Sequence, residues 1–234
     1  ASFPPLGLLT VAAMLPADLE REQRRIRARL RLHDEAILVG VDRVDYTKGI
    51  PERLRAIDRF LELYPDYIGN FAFLQVGVPS RTRVEEYRRL SDEVDDAVEQ
   101  INWKYRAGSW TPIIYIRQHL DPPVLYALYR LARFCLVSSL HDGMNLVAKE
   151  FVAANVEEDG VLLLSQFTGA ARQLRDALII NPYAVDAVAR CIYQALTMEG
   201  REVRSRMRRL RESVREHNVF KWAADIIQKL GKLA

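Results

Sequence analysis

The chain has few of the residues that redox, metal or membrane chemistry requires. Two cysteines occur in 234 residues, Cys135 and Cys191, far apart and outside any CxxC spacing. Both sit among apolar neighbours, the setting of buried free thiols rather than a disulfide, which suits a reducing, cytoplasmic compartment. Four histidines are scattered, none beside acids or cysteines at ligand spacing, so the reading includes no metal and no cofactor. Neither a GxGxxG fingerprint nor a GxxxxGK[ST] phosphate loop occurs. No apolar run approaches the roughly 20 residues that a membrane helix needs, and Ala1-Ser2-Phe3-Pro4-Pro5 lacks the charged start of a signal peptide. Charge of one sign is also scarce. Arginine and lysine total 34 against 31 acids, a net +3, which gives no broad basic face for nucleic acid. The seven arginines between Arg201 and Arg215 are interleaved with Glu202 and Glu212, the pattern of a solvated helix face.

What is present is alternation. Apolar, β-branched runs occur at Ala36 to Val41, Asn70 to Val78, Ile113 to Ile116, Phe134 to Ser139, Val161 to Ser165 and Ala177 to Ile180. Most are apolar on consecutive residues, as in strands covered on both faces. Helical patterns lie between them: Leu15 to Leu32, Pro51 to Leu63, Thr82 to about Tyr105, Pro122 to Arg133, Leu146 to Asn155, Ala170 to Asp176 and Val185 to Met198. Two more, Arg201 to Glu216 and Val219 to Leu233, end the chain. Strand–helix alternation of this kind predicts an α/β fold, a doubly wound parallel sheet of the Rossmann-like type, in one domain over residues 1–234.

In such sheets ligands bind beyond the carboxyl ends of the strands. After the first strand comes Asp42-Arg43-Val44-Asp45-Tyr46-Thr47-Lys48-Gly49, with two cations five residues apart in a loop that opens a helix. A diphosphate calls for cations and backbone N–H donors together. Arg43 offers a fork, Lys48 a point charge, and Asp42 and Asp45 are placed to orient them. A surface loop with local salt bridges has the same spacing. After the second strand, Arg81 sits at a helix start, where a cation opposes the helix dipole unless an anion is near; an ordinary exposed arginine is the other reading. After the fourth strand, His141-Asp142-Gly143-Met144-Asn145-Leu146 opens a helix that carries Glu150. Gly143 would supply a conformation closed to other residues and admit a ligand to the backbone. Asp142 would accept hydrogen bonds from sugar hydroxyls and Glu150 those of a ribose. The alternative is a helix capped by Asp142 with Glu150 exposed. In Gln166 to Ala171, Thr168 reads as a helix cap.

These strings resemble, in order, the trehalose-6-phosphate synthase family, retaining glycosyltransferases of the GT-B type. The matches are Val41 to Leu54 (VDRVDYTKGIPERL), Val76 to Tyr87 (VGVPSRTRVEEY), His141 to Ala154 (HDGMNLVAKEFVAA), Leu163 to Ala171 (LLSQFTGAA) and Ala177 to Tyr183 (ALIINPY). The resemblance implies the C-terminal, donor-binding half of a GT-B architecture. Residues 1–35 would be an interdomain remnant with the first helix, and 199–234 the C-terminal helices.

By the same resemblance, Arg43 and Lys48 grip the donor diphosphate. Asp142 contacts the donor sugar, Gly143, Met144, Asn145 and Leu146 hold sugar and phosphate through the backbone, Glu150 holds the ribose, and Arg81 reaches the acceptor phosphate. The implied reaction moves glucose from a nucleotide sugar, UDP-glucose foremost, to the acceptor sugar phosphate glucose 6-phosphate. It proceeds with retention, with Arg43, Lys48 and Asp142 as the catalytic set and no metal. The implied partner is an N-terminal domain or separate chain that supplies the acceptor contacts, without which the isolated chain would be inactive. The chain departs from the family in having His141 where arginine precedes Asp-Gly-Met-Asn. Its Phe3-Pro4-Pro5-Leu6-Gly7-Leu8 stands where the family has F-P-I-G-I-D. Two other readings remain: a pseudo-glycosyltransferase that joins cyclitols through nitrogen, and a non-catalytic, regulatory nucleotide-sugar-binding paralogue.

Overall fold

The structure is a computed structural model that describes residues 16–78 and 85–216. Its elements run α1 (Pro16–Leu30), β1 (Ala36–Arg43), α2 (Ile50–Leu63), β2 (Phe71–Val78), α3 (Glu85–Tyr105), β3 (Ile113–Ile116), α4 (Pro122–Leu131) and β4 (Phe134–Val137). They continue with α5 (Leu146–Ala154), β5 (Val161–Ser165), β6 (Leu178–Ile180), α6 (Val185–Thr197) and α7 (Gly200–Glu216). All six strands are parallel, in the order β3-β2-β1-β4-β5-β6. This is the predicted doubly wound sheet, and the chain reverses its direction of winding between β1 and β4.

Side chains of each strand alternate between the two faces, and both faces are covered. Leu38, Phe73, Leu136 and Leu163 meet α2, α3 and α6 through Leu54, Ile57, Phe60, Val98 and Ile192. Ile37, Val39, Leu74, Cys135 and Leu164 meet α1, α4, α5 and α7 through Ile26, Tyr129, Phe151 and Met207. That is why the strands read as unbroken apolar runs rather than alternating ones. The edge strand β6 departs from the pattern, with Ile179 exposed between two buried residues.

α2 shows how local sequence sets an element that later positions the site. Ile50, Leu54, Ile57 and Leu61 recur at helical spacing and are fully buried. Pro51 stands in the first turn, where its missing N–H costs nothing. The helix starts at Gly49, whose φ of 62° is left-handed, and stops at Tyr64 before Pro65, which disfavours helix in its predecessor.

Two readings need correction. The predicted helix over Ala170 to Asp176 is a four-residue 3-10 turn, Gly169–Arg172. Thr168 does not cap it; its hydroxyl donates back to the Ser165 carbonyl at 2.9 Å, and it is buried. Short 3-10 turns at Tyr46–Lys48 and Pro65–Tyr67 carry no periodic signal and went unread. The predicted helix over Val219 to Leu233 lies outside the described residues, as does Phe3 to Leu8.

Cys135 is buried and Cys191 partly buried, both free; burial pushes the Cys191 thiol up to about 11. In α7, Arg206, Arg208 and Arg209 pair with Glu202, Glu158 and Asp176. No helix among the described residues is long and apolar enough to cross a membrane.

Candidate functional site

The reversal between β1 and β4 opens a crevice at their carboxyl ends, the place where open α/β sheets receive ligands. Two segments line it. The first follows β1 and folds as a tight turn because Asp45 accepts hydrogen bonds from the Thr47 amide at 2.9 Å and the Thr47 hydroxyl at 2.7 Å. Burial pushes the Asp45 carboxyl up, but these two bonds, with the charges of Lys48 and Arg43, leave it below the usual range. The second segment follows β4 and is laced to the first by backbone. The Leu140 amide donates to the Thr47 carbonyl at 2.7 Å, and that of His141 to the same oxygen at 3.3 Å.

Across this junction the Lys48 ammonium donates to Asp142 Oδ2 at 2.6 Å, with both side chains largely buried. Asp142 is held from three further sides. Its Oδ1 accepts from the Met144 amide at 3.3 Å and its Oδ2 from the Asn145 side-chain amide at 3.2 Å. Its backbone is pinned to the third loop: the Asp142 amide donates to the Phe167 carbonyl at 3.2 Å, and the Gly169 amide to the Asp142 carbonyl at 2.9 Å. Burial pushes the Asp142 carboxyl up, and Lys48, the Met144 amide and Asn145 together outweigh it and hold it below its ordinary value.

Arg43 is exposed at the end of β1, and its guanidinium makes no hydrogen bond or ion pair among the described residues. An unpaired fork beside a paired lysine leaves room for an anion at the mouth of the crevice. Gly143 faces open space, with nothing within 4 Å of where a Cβ would stand. Its backbone is not left-handed, contrary to the conformational role read from its sequence. The strained residue is Asn145, with φ 71°. Its side-chain oxygen accepts from the Ala148 amide at 2.9 Å, so Asn145, not Asp142, caps α5. The turn needs a small residue elsewhere: a Cβ on Gly169 would stand 2.0 Å from the Gly143 carbonyl oxygen.

Leu146 opens α5 and Glu150 follows one turn on, half-buried, where the Tyr129 hydroxyl donates to its Oε2 at 3.3 Å. Burial raises the Glu150 carboxyl above the ordinary range, and the Tyr129 bond only partly offsets it. The simple alternative of an exposed Glu150 therefore does not hold. Arg81 lies outside the described residues.

Asp42 is where sequence reasoning failed. It does not orient Arg43 or Lys48; its carboxylate accepts from Arg53 Nη2 at 2.7 Å inside the sheet edge. Arg53 itself, in α2, carried no signal beyond being a charged residue on an otherwise apolar helical face (Ile50, Leu54, Ile57). Among the described residues no group of His, Cys, Asp and Glu is placed to hold a metal ion.

With this geometry in view, comparison with known proteins is informative. The model of glycosyltransferase family 20 matches residues 13–232. An alpha,alpha-trehalose-phosphate synthase (UDP-forming) of Dictyostelium discoideum is 42% identical over 196 residues, 84% of this chain and 27% of that protein. A counterpart in Botryotinia fuckeliana is 37% identical over 91% of this chain and 41% of its own length. Among solved structures, the E. coli protein described as bound with UDP-2-fluoro glucose superposes with a TM-score of 0.84 at 36% identity, covering 93% of this chain and 50% of that one. A Burkholderia xenovorans alpha,alpha-trehalose-phosphate synthase in complex with glucose-6-phosphate gives 0.89 at 35% identity, covering 99% and 50%. The chain thus spans about half the length of the solved relatives it matches, and less of the two curated ones.

Proposed function

The chain belongs to glycosyltransferase family 20, and from that premise we propose that it is the donor-binding half of a retaining transferase that takes glucose from UDP-glucose to glucose 6-phosphate. One observation carries the reading: the Lys48–Asp142 pair at the β1/β4 reversal, flanked by Arg43, which has no ion pair among the described residues. A diphosphate seated there meets Arg43 and Lys48, while Asp142 and the backbone of Gly143 to Leu146 face the sugar. Glu150, one helical turn further along α5, is the residue proposed to hold the ribose.

In the proposed transfer, the bond from the glucosyl anomeric carbon to the diphosphate oxygen breaks, and a bond from that carbon to the acceptor hydroxyl oxygen forms on the same face. The acceptor proton passes to the leaving diphosphate. Charge grows on that diphosphate as the bond opens, so Arg43 and Lys48 stabilise the transition state more than the ground state. Asp142 is engaged by Lys48, Asn145 and the Met144 amide, which suits an orienting group rather than a nucleophile. Acceptor contacts are proposed to come from a further half, with Arg81 reaching the acceptor phosphate.

The test is a product assay with UDP-glucose and glucose 6-phosphate, run on the chain alone and on the chain supplied with the amino-terminal half of a relative. Phosphorylated disaccharide in the second case only is the expected result. Failure to bind UDP-glucose in either case would refute the proposal.

A further inference from the structure

Arg53 has the largest fully buried side chain among the described residues, and its guanidinium lies directly beneath the crevice. Its three nitrogens reach three neighbouring strands. Nη2 donates to Asp42 on β1 at 2.7 Å, Nη1 to Gln75 Oε1 on β2 at 2.8 Å, and Nε to Ser138 Oγ just past β4 at 2.9 Å. Gly40 makes the space: a Cβ there would stand 2.3 Å from Nη1. Taking a guanidinium out of water is costly unless its donors are met, and a hydrophobic residue would fill the site without that cost. A charged side chain tied here to three strands points to a task beyond stability.

The contacts indicate that task. Ser138 accepts from Arg53, and its own hydroxyl donates back to the loop, with Oγ 2.9 Å from the Gly49 carbonyl oxygen and 3.2 Å from that of Lys48. Gly49 in turn is pressed against the Ser138 backbone, where a Cβ would meet the carbonyl oxygen at 2.3 Å. The Leu140 amide, two residues on, holds the Thr47 carbonyl. Arg53 therefore sits at the base of a relay, Asp42 and Gln75 to Arg53 to Ser138 to Lys48 and Gly49, that fixes the lysine-bearing loop against the Asp142 turn.

We propose that Arg53 is a positioning residue for diphosphate recognition, setting the register between the Lys48 loop and the Asp142 turn through Ser138. The proposal rests on the reading of the crevice as a nucleoside-diphosphate site. It requires the planar fork rather than charge alone, because a lysine reaches one of the three strands but not all.

The test uses the full chain and two probes, UDP followed by calorimetry and uridine followed by ligand-observed NMR. Arg53→Lys and Ser138→Ala are compared with the wild type, with circular dichroism to verify folding. Ser138→Ala keeps the Arg53–Asp42 pair and serves if Arg53→Lys does not fold. The expected result is a loss of about tenfold or more in UDP affinity for Arg53→Lys, and a smaller loss for Ser138→Ala, with uridine affinity unchanged in both. Folded variants that bind UDP like the wild type, or that lose UDP and uridine equally, would overturn it. A wild type that fails to bind UDP would instead strike the reading of the site itself.

Discussion

Lys48 and Asp142, 94 residues apart in sequence, meet with 2.6 Å between ammonium and carboxylate at the point where the sheet reverses its winding. In the pair the two charges neutralise each other. On the proposed reading a diphosphate would share Lys48 with Asp142, so the two residues should act in opposite directions on the binding of free UDP. Lys48→Ala removes one charge-assisted contact and leaves Asp142 uncompensated beside the anion, with a loss of about 10- to 100-fold. Asp142→Asn should tighten free UDP by about fivefold, by removing a like charge, and should weaken the preference for UDP-glucose over UDP. The double variant should bind UDP better than Lys48→Ala alone. Calorimetric titration of the four proteins closes this cycle.

Arg43, unlike Lys48, makes no hydrogen bond or ion pair among the described residues. Arg43→Ala should therefore weaken UDP by about tenfold while leaving the melting temperature within about 1 °C of wild type. Thermal melts recorded beside the titrations check both halves of the statement.

The two glycines of the turn should separate stability from binding. Gly169→Ala drives a methyl into the Gly143 carbonyl, so the turn must shift, and both melting temperature and UDP-glucose affinity should fall. Gly143→Ala meets no atom within 4 Å and should melt like the wild type, yet lose UDP-glucose affinity because its methyl occupies space the donor needs. Different melting temperatures with a shared loss of UDP-glucose binding would not arise if the turn were merely a surface loop.

Glu150 should show the cost of keeping a carboxylate in a half-buried place. Burial raises its pKa, with the Tyr129 hydroxyl opposing. A pKa higher in the folded state means that folding favours the protonated form. That advantage is complete below the unfolded value of about 4.3 and is lost as pH rises through the folded value. At pH 7 the charge is a burden, so Glu150→Gln should raise the melting temperature by about 2 °C there and make no difference near about pH 4. The same change should weaken UDP but not inorganic pyrophosphate, which has no ribose.

The sheet was legible because parallel strands covered on both faces leave consecutive apolar residues, and Leu162 to Leu164 are buried to 1% or less. Part of the candidate site's geometry was legible: Arg43 and Lys48 follow one strand and Asp142 another, and strand order puts β1 beside β4 so that Lys48 and Asp142 meet. The role of Asp42 was not legible, since an acid next to Arg43 in sequence points the other way in a strand and pairs instead with Arg53, eleven residues on. Arg53 itself was hidden because a buried arginine on a helix face reads as a solvated one until its three partners from separate strands are known. Assigning the strained backbone to Gly143 rather than Asn145 had a similar cause. Residue type suggested glycine, but the capping bond to Ala148 lets asparagine take the left-handed position.

The claim that the two segments form one diphosphate grip is tested most directly by titrating the wild-type chain with UDP and with uridine at low salt. The account predicts that UDP binds at least about tenfold more tightly than uridine, that the margin shrinks as salt is added, and that Lys48→Ala removes most of it. Equal affinities for the two ligands, or a margin that survives the loss of Lys48, would contradict it.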